Sequence, residues 1–478
     1  MSSDEGLTVK KAENFSEWYQ QVLVKSEFID YTDVSGAIVL RPSSYAIWQM
    51  LTYAIDLEFK KAGIEDTYFP LLIPEKLLRK ESEHFEGFVP EVAWVTEAGN
   101  SKLEERLAIR PTSEVIMYAN YAKWIRSWRD LPLRYNQWNN VLRWEFKHPT
   151  PFIRTREFLW NEGHSVFASE KEANAERDEI LGIYLKAMKD YLALPGIPGK
   201  KSEKEKFAGA VASYSIEMLM PDGWALQGPD FHNDGQNFAK AFDIKFLDKE
   251  GNLEYAWQNT CAISTRVLGV IVGIHGDDKG LVLPPRVANV QIVIVPILKK
   301  GNNEKVLSYA RRIIGLLKGY RAKLDDREGY SPGYKFNEWE LRGIPLRIEI
   351  GEREADSERV TIARRDTGDK ETCEFGKISV EVGRLLDAIH ENLYARAEAF
   401  LKGSVTTVST YNELKETLIK KKGFVHAPWC GEVSCENKIK EETGAKITNI
   451  PFEQGELIEK CVYCGKTSKV MANFARSY

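Results

Sequence analysis

Residues 141–165, VLRWEFKHPTPFIRTREFLWNEGHS, combine charged and aromatic side chains in an alternating pattern typical of a strand hairpin. Side chains alternate along a strand, so Arg143 and Glu145 should share one face of the first strand. Its opposite face would carry Leu142, Trp144 and Phe146. Two prolines predict the turn, because each removes a donor from the sheet. The second strand would then place on one face Arg154, Arg156, Phe158, Trp160, Glu162 and His164.

The charge on this face needs an explanation, since unpaired buried charge is costly. An anionic ligand would neutralise it, and a salt-bridged hairpin on the surface is the alternative. A second arginine raises a similar choice, because residues 263–274 are predicted to form an almost wholly apolar helix with Arg266 as its cation. A triphosphate or a protein carboxylate would satisfy that guanidinium.

Four of the six cysteines lie near the end of the chain. Their spacing, with four residues between Cys430 and Cys435 and two between Cys461 and Cys464, is that of two zinc knuckles forming one closed tetrahedral site. A redox pair at the last two cysteines is the alternative, but it leaves the first two without a role. The remaining Cys261 and Cys373 are predicted to be buried apolar residues.

The 478 residues are too many for one core, and 43% apolar with 28% charged residues is ordinary for a water-soluble chain of two to four domains. The net charge of -4 excludes a uniformly basic surface, so a nucleic acid would bind a local patch such as residues 134–160. We see neither a bilayer-spanning apolar segment nor a signal peptide, and six cysteines do not suggest a disulfide scaffold. The expected location is the cytosol.

Helices and strands are predicted around these residues. Ser43 or Ser44 should cap a helix over residues 45–62 that ends before Gly63, and an extended segment follows. Thr112 or Ser113 should cap a helix over residues 115–128, with Glu114 in its first turn. Beyond the paired prolines at 284–285, alternating strands and helices predict an α/β domain of about one hundred residues.

The hairpin stretch, in the form RWEFKHP...RTREFLW..GH, resembles motif 2 of class II aminoacyl-tRNA synthetases, as it occurs in prolyl-tRNA synthetases of the archaeal and eukaryotic-like type. Other blocks follow in family order: residues 45–72 are similar to motif 1, residues 225–242 to the block QG....H..GQNF.KAF, and residues 258–269 to motif 3. Residues 229–231, Pro-Asp-Phe, depart from the small, hydroxyl-rich segment of the family.

The resemblance implies roles for individual residues, with Arg143 on the α-phosphate and the amino-acid carboxylate and Arg266 on the γ-phosphate as the catalytic residues. The implied ATP-binding residues are Arg143, Glu145, Arg154, Thr155, Gln227, Gln258, Ser264 and Arg266. The implied proline-binding residues are Thr112, Glu114, Arg143, Trp160, Glu162, His164, His232 and Ser264. The implied anticodon-binding residues are Arg353, Arg364, Arg365 and Lys370.

The family further implies an α+β multidomain protein. Residues 1–283 would form a class II catalytic domain with an antiparallel sheet, residues 284–402 an α/β anticodon-binding domain, and residues 403–478 a small α/β zinc-containing domain. The implied reaction is ATP-dependent ligation of L-proline to tRNA(Pro) through a prolyl-adenylate, with Mg²⁺, a structural Zn²⁺ and a homodimer formed through the motif 1 helix and strand. No membrane partner is expected.

Two alternatives remain open. One is an enzyme of the same subclass with another amino acid, for instance threonine, which would need a zinc site that the catalytic residues do not offer. The other is a synthetase-like protein that binds tRNA without catalysis, which would have no use for phosphate-binding arginines.

Overall fold

The computed structural model describes residues 6–82, 91–145, 148–299 and 303–478. Phe146 and Lys147, part of the predicted hairpin, lie outside the described residues. The α-helices are α1 (Phe15–Lys25), α2 (Pro42–Lys61), α3 (Glu75–Ser82), α4 (Glu114–Trp124), α5 (Glu170–Leu192), α6 (Asn237–Phe242), α7 (Arg266–His275), α8 (Glu304–Leu316), α9 (Pro332–Leu341), α10 (Glu352–Ser357), α11 (Ile378–Gly403), α12 (Tyr411–Lys420) and α13 (Val433–Thr443).

The strands are β1 (Ile29–Tyr31), β2 (Ile38–Leu40), β3 (Glu65–Asp66), β4 (Leu72–Pro74), β5 (Trp94–Ala98), β6 (Ser101–Ile109), β7 (Leu133–Leu142), β8 (Glu157–Phe167), β9 (Ile197–Lys200), β10 (Ala212–Leu219), β11 (Ala225–Gly235), β12 (Lys245–Leu247), β13 (Leu253–Tyr255), β14 (Trp257–Ala262), β15 (Ile292–Pro296), β16 (Ala322–Leu324), β17 (Leu346–Ile350), β18 (Arg359–Arg364), β19 (Lys370–Glu374), β20 (Val405–Thr407), β21 (Phe424–Trp429), β22 (Lys446–Pro451) and β23 (Val470–Ala475). Among the described residues, no helix is both long and apolar enough to cross a membrane.

The predicted hairpin is the antiparallel pair β7 and β8, in register from Leu133 opposite Val166 to Leu142 opposite Glu157. It belongs to a sheet with the order β20-β21-β23-β22-β9-β10-β11-β14-β8-β7-β3. Apolar side chains of α1, α2, α5 and α7 pack with residues of this sheet in one core. The predicted antiparallel sheet is therefore confirmed, and only the outermost pair at each end, β3 with β7 and β20 with β21, is parallel.

Helix α2 corrects one sequence prediction. The residue preceding it is Arg41 and Pro42 occupies its first turn, a position where the missing N–H costs nothing. Neither predicted serine caps it: the hydroxyl of Ser44 instead donates to the carbonyl of Phe28 at 2.6 Å. Gly63, at φ +76°, follows the helix as predicted, in a conformation that favours glycine.

The predicted α/β domain has the sheet order β16-β15-β17-β18-β19, in which β15 is parallel to both neighbours and the other pairs are antiparallel. Helices α8 and α11 share its main core, and α9 packs in a second cluster with β15. Strands β16 and β19 lie at the two edges of the sheet.

The C-terminal strands continue the catalytic sheet. Strand β22 pairs with β23 on one side and with β9 on the other, where Ile450 lies opposite Lys200 and Pro451 opposite Gly199. This end of the chain is a small α/β unit, as predicted, and its backbone is hydrogen-bonded directly to the catalytic domain.

Candidate active site

A cavity of about 370 Å³ opens over strands β8, β10, β11 and β14 of the large sheet. It brings together many of the predicted site residues, which come from distant parts of the sequence: Thr112, Glu114, Arg143, Glu145, Trp160, Glu162, His164, Gln227 and His232. Alternation along β8 correctly places Trp160, Glu162 and His164 on one face, because all three line this cavity.

Arg143 lies just beyond the end of β7, although the sequence pattern predicted it within a strand. Its Nε donates to the carbonyl oxygen of Pro111 at 3.0 Å. The guanidinium lies 5.0 Å from the ring centre of Trp160 and 5.5 Å from that of Phe158, within the range of cation–π attraction. No carboxylate of the described residues forms a salt bridge with Arg143, so its charge is available to a ligand.

Arg266 is the first residue of α7 and does not itself line the cavity, but it contacts the backbone of Gln227, which does. Its guanidinium donates to two carbonyl oxygens, that of Ile153 at 3.2 Å and that of Gln227 at 3.0 Å. Burial lowers its pKa, Asp230 opposes that shift, and the positive charges of Arg143 and Arg154 add to it. The combined positive charge of these arginines favours a bound anion nearby.

Glu162 is the most strongly bound carboxylate of the cavity. Its oxygens accept hydrogen bonds from Thr112 Oγ1 at 2.9 Å, from the amide and hydroxyl of Ser113 at 2.8 and 2.6 Å, and from Asn139 Nδ2 at 2.8 Å. Burial opposes its ionisation, but neighbouring His164 and these donors outweigh burial and lower the pKa of Glu162 to about 2. Glu162 is therefore a fixed negative charge at neutral pH.

Glu114 has the opposite character. Burial raises its pKa, the charge of Glu162 adds to the rise, and His164 opposes it. The hydroxyl of Thr112 is hydrogen-bonded to both carboxyl groups, yet it has one proton to donate. A protonated Glu114 that donates to Thr112, which in turn donates to Glu162, satisfies all three groups. Ser113 is the N-cap residue of α4, one of the two predicted positions, but its hydroxyl donates to Glu162 and caps no amide of the helix.

His232 is fixed by its neighbours on β10 and β11. Its Nδ1 lies 2.8 Å from Ser213 Oγ, its ring stacks on Phe207 at 4.9 Å between ring centres, and its Nε2 is 3.7 Å from Asp230. Burial lowers the pKa of His232 and Asp230 opposes the shift. Asp230 also accepts a hydrogen bond from Gln227 Nε2 at 2.8 Å.

Several lining residues were missed by sequence analysis: Lys201, Glu205, Phe207, Ser213, Asp230 and Thr260. Asp230 was signalled by the departure of residues 229–231 from the family pattern. Residues 201–207 belong to a connecting segment without periodicity, so no local signal marked them.

Five predicted ATP-binding residues are not among the residues that line the cavity: Arg154, Thr155, Gln258, Ser264 and Arg266. Ser264 nevertheless forms an antiparallel backbone β-bridge with Trp160, which does line the cavity. Arg154 is exposed. Gln258 is fully buried, and its amide atoms have no hydrogen-bond partner within the described part of the chain. The cavity as it stands gives Gln258 and Thr155 no contact with a ligand.

The predicted anticodon-binding residues differ in availability. Arg353 is exposed on α10. Arg364 holds Asp366 through two hydrogen bonds of 3.0 and 2.7 Å, and Lys370 holds Glu349 at 2.9 Å. Arg365 donates to Asp277 at 2.7 Å and to the carbonyl of Glu340, with 7% of its surface exposed. Arg365 is the least accessible of the four, because it joins the α/β domain to Asp277, two residues beyond the end of α7, and its assignment stays a prediction.

The four clustered cysteines are free thiols whose sulfur atoms all lie within 4.8 Å of one another. Cys430 Sγ is 3.6 Å from Cys435 Sγ and 3.7 Å from Cys464 Sγ. A tetrahedral zinc site with Zn–S bonds of about 2.3 Å places its sulfurs about 3.8 Å apart, so the arrangement fits. Burial alone would raise the pKa of Cys464, but the Lys466 amide and the neighbouring thiols lower it to about 7, whereas burial raises the pKa of Cys430 and Cys435.

Comparisons with known proteins agree with this geometry. The family description "tRNA synthetase class II core domain (G, H, P, S and T)" matches residues 94–275, "Anticodon binding domain" matches residues 291–385, and "Prolyl-tRNA synthetase, C-terminal" matches residues 411–478. A protein of Alkaliphilus oremlandii named proline--tRNA ligase is 47% identical over 97% of this chain and 96% of its own length. A protein of Acetoanaerobium sticklandii with the same name is 49% identical over 98% of this chain and 97% of its own length.

Solved structures are equally similar. The prolyl-tRNA synthetase of Cryptosporidium parvum complexed with halofuginone and AMPPNP superposes with a TM-score of 0.97 at 45% identity, over the whole of both chains. The complex of a prolyl-tRNA synthetase from that organism with L-proline and AMP gives a TM-score of 0.95 at 43% identity, over 100% of this chain and 99% of the other. The chain belongs to the prolyl-tRNA synthetase family, within class II of the aminoacyl-tRNA synthetases.

Proposed function

We propose that the protein ligates L-proline to tRNA(Pro) in two steps, with ATP as the energy source. The proposal rests on the combination of two features of the site. Arg143 and Arg266 have no carboxylate partner among the described residues, and their guanidinium groups contact backbone carbonyls instead. Glu114 and Glu162 supply two carboxyl groups to the cavity lining. One part of the cavity suits phosphates and the other suits a cationic amine. Relatives that cover nearly the whole chain carry the same activity in their names.

In the first step a carboxylate oxygen of proline attacks the α-phosphorus of ATP, and the bond from that phosphorus to the pyrophosphate oxygen breaks. The carboxylate is already an adequate nucleophile, so no general base is needed. Arg143 and Arg266 neutralise charge at the phosphates and hold them in line. In the second step a terminal ribose hydroxyl of tRNA takes the prolyl group and AMP leaves.

The amine of proline would be recognised by Glu114 and Thr112, which line the cavity. The cationic secondary amine of proline has two N–H donors, and Glu114 with Thr112 offers matching acceptors. A bound cation stabilises the ionised form of Glu114, so Glu114 loses its proton when the amine binds. Trp160 and His232 line the same space and would enclose the ring.

Magnesium would arrive with ATP as part of the substrate. Oxygen ligands suit this ion, and the carboxylates of Glu145 and Asp230 line the cavity. Zinc would sit at Cys430, Cys435, Cys461 and Cys464, where four thiolates leave no open position and the role is structural. One equivalent of zinc per chain is expected by metal analysis, and well under one equivalent would contradict the site.

Arg353 remains a candidate contact for the tRNA anticodon. Arg364 and Lys370 also remain candidates, and each would have to release its carboxylate partner before it could bind RNA. The divisions at residues 283 and 402 remain our proposed domain boundaries. The free thiols suit a reducing compartment, and we propose the cytosol.

A homodimer would cover apolar surface that the monomer exposes around α2 and the segment after it. Tyr53 is 66% exposed and Tyr68 70% exposed, with Tyr45, Leu57 and Leu71 also exposed on the same helix and segment. Large exposed apolar patches are unusual on monomers. Sedimentation should give twice the chain mass, and Tyr53→Lys should shift the protein toward monomer.

Pyrophosphate exchange measured with each proteinogenic amino acid tests the activity. Proline should give by far the fastest exchange. Exchange with threonine in its place would support the related enzyme, and no exchange with any amino acid would support the tRNA-binding alternative.

A further inference from the structure

One wall of the cavity is held by the C-terminal part of the chain. Residues 201–207 connect β9 to β10 and contribute Lys201, Glu205 and Phe207 to the cavity lining. Strand β9, which leads into this segment, is paired with β22 of the C-terminal unit. The wall therefore starts at a junction between two parts of the sequence about 250 residues apart.

Three side-chain contacts extend this junction along the segment. Lys201 Nζ donates to the carbonyl oxygen of Thr448 at 2.8 Å and to Glu217 at 2.7 Å. Ser202 Oγ donates to Glu436 Oε1 at 3.0 Å, and Glu436 is fully buried. These contacts are shielded from water, so leaving any partner unsatisfied would be costly.

The third contact is an ion pair at the cavity itself. Lys446 Nζ lies 2.7 Å from Glu205 Oε2, with 30% of the lysine and 14% of the glutamate side chain exposed. Lys440 is more distant from the same carboxylate, at 3.9 Å. Lys446 is thus the main cation that fixes the direction of Glu205.

The far end of the segment bears on a proposed substrate contact. The amide of Phe207 donates to Ser213 Oγ at 2.9 Å, and the phenyl ring stacks on the imidazole of His232. Ser213 is also the hydrogen-bond partner of His232 Nδ1. A shift of residues 201–207 would therefore move the ring that packs on His232.

We propose that the C-terminal unit is a working part of the amino-acid site, in which Lys446 acts as a positioning residue that holds residues 201–207, and through them Phe207, against His232. The inference rests on the proposed function, because His232 is there a proline contact. Lys446 touches no substrate itself. Its effect should appear as weaker proline binding, with turnover and ATP binding preserved.

The test compares Lys446→Ala with wild type in proline-dependent pyrophosphate exchange by the full-length protein. KM for proline should rise roughly three- to ten-fold while kcat and KM for ATP stay within about two-fold, as expected when an ordering ion pair is lost. Lys446→Arg, which keeps the charge, should restore KM. Hydrogen exchange of the amides of residues 201–207 should become faster in Lys446→Ala only.

Lys438→Ala is the matched control, since Lys438 is an exposed lysine of the same unit that pairs with Glu441 on its own helix. It should change none of these quantities. An unchanged KM for proline in Lys446→Ala overturns the inference. A fall in kcat together with a rise in both KM values also overturns it, because that result would indicate general damage to the site. Failure of the proposed function is a separate outcome, because wild type itself would then show no proline-dependent exchange.

Discussion

The candidate active site and the α/β domain both carry arginines, but the hydrogen-bond partners of these arginines differ between the two regions. Within the described residues, Arg143 and Arg266 donate hydrogen bonds to backbone carbonyls and have no salt-bridge partner. Arg364 and Arg365 each hold a carboxylate through two hydrogen bonds. A guanidinium bound to carbonyl groups keeps its full charge for a ligand, whereas one bound to a carboxylate is already neutralised.

The difference teaches how to separate arginines whose charge is available to an anionic ligand from arginines that are already paired in this molecule. Both kinds occur in motif-like stretches, and both are partly or fully buried. The nature of the partner atom distinguishes them, and that is visible only in the folded chain. The predictions below test this distinction, beginning with the largest effect.

The largest effect is expected for Arg143→Ala. Proline-dependent pyrophosphate exchange should fall by about 10³-fold or more, because a preorganised charge at the reacting phosphorus is lost. The thermal unfolding midpoint should stay close to that of wild type, since the side chain contributes one hydrogen bond to the fold. Exchange at near wild-type rates would refute the role of Arg143.

A smaller effect, with a defined pH dependence, is expected for Glu114→Gln. Because the pKa of Glu114 is raised in the free protein and an arriving cation favours its ionised form, apparent proline affinity should increase as pH rises through that raised pKa. Glu114→Gln should raise KM for proline roughly ten- to hundred-fold and flatten this dependence. KM for proline is to be measured between pH 5 and 9.

Glu157→Gln provides the control for that series. Glu157 is an exposed carboxylate on the same hairpin, bonded to Asn140 at 2.8 Å, and its replacement should leave the pH profile unchanged. A profile that Glu114→Gln does not alter would place the titrating group elsewhere.

The smallest effect is expected for Arg365→Ala. Arg365 is buried but the Asp277 side chain is 40% exposed, so loss of the pair should lower the free energy of unfolding by about 1–2 kcal/mol and leave pyrophosphate exchange within about two-fold. Burial opposes the ionisation of Asp277, but Arg365 lowers its pKa, so this stabilisation is present above the ordinary carboxyl pKa and disappears as pH falls through the lowered one. Denaturant titrations at pH 7 and pH 3 measure both points.

Sequence reasoning found those parts of the site that follow a local rule. Alternation placed Trp160, Glu162 and His164 on one face, and spacing alone predicted that the four cysteines would cluster. It failed where a distant partner decides: residues 201–207 become a cavity wall through the pairing of β9 with β22. The pairing of Arg365 was also missed, because its partner Asp277 lies 88 residues away in sequence and no local pattern connects the two.

The two hairpin strands are also shorter than the alternating pattern predicted. Strand β7 stops at Leu142 and β8 starts at Glu157, so Arg143, Glu145 and Arg154 lie outside the strands. The amide of Arg143 nevertheless donates to the carbonyl of Arg156 at 2.8 Å, which holds the chain close enough for its side chain to reach the cavity.

The most direct test of the distinction between the two kinds of arginine is the affinity for a non-hydrolysable ATP analogue, measured by titration calorimetry with wild type, Arg266→Ala and Arg364→Ala. Loss of a guanidinium that binds phosphate should weaken affinity by roughly ten- to hundred-fold in Arg266→Ala, whereas Arg364→Ala should bind like wild type. Equal affinities in all three proteins, or a loss confined to Arg364→Ala, would contradict the account.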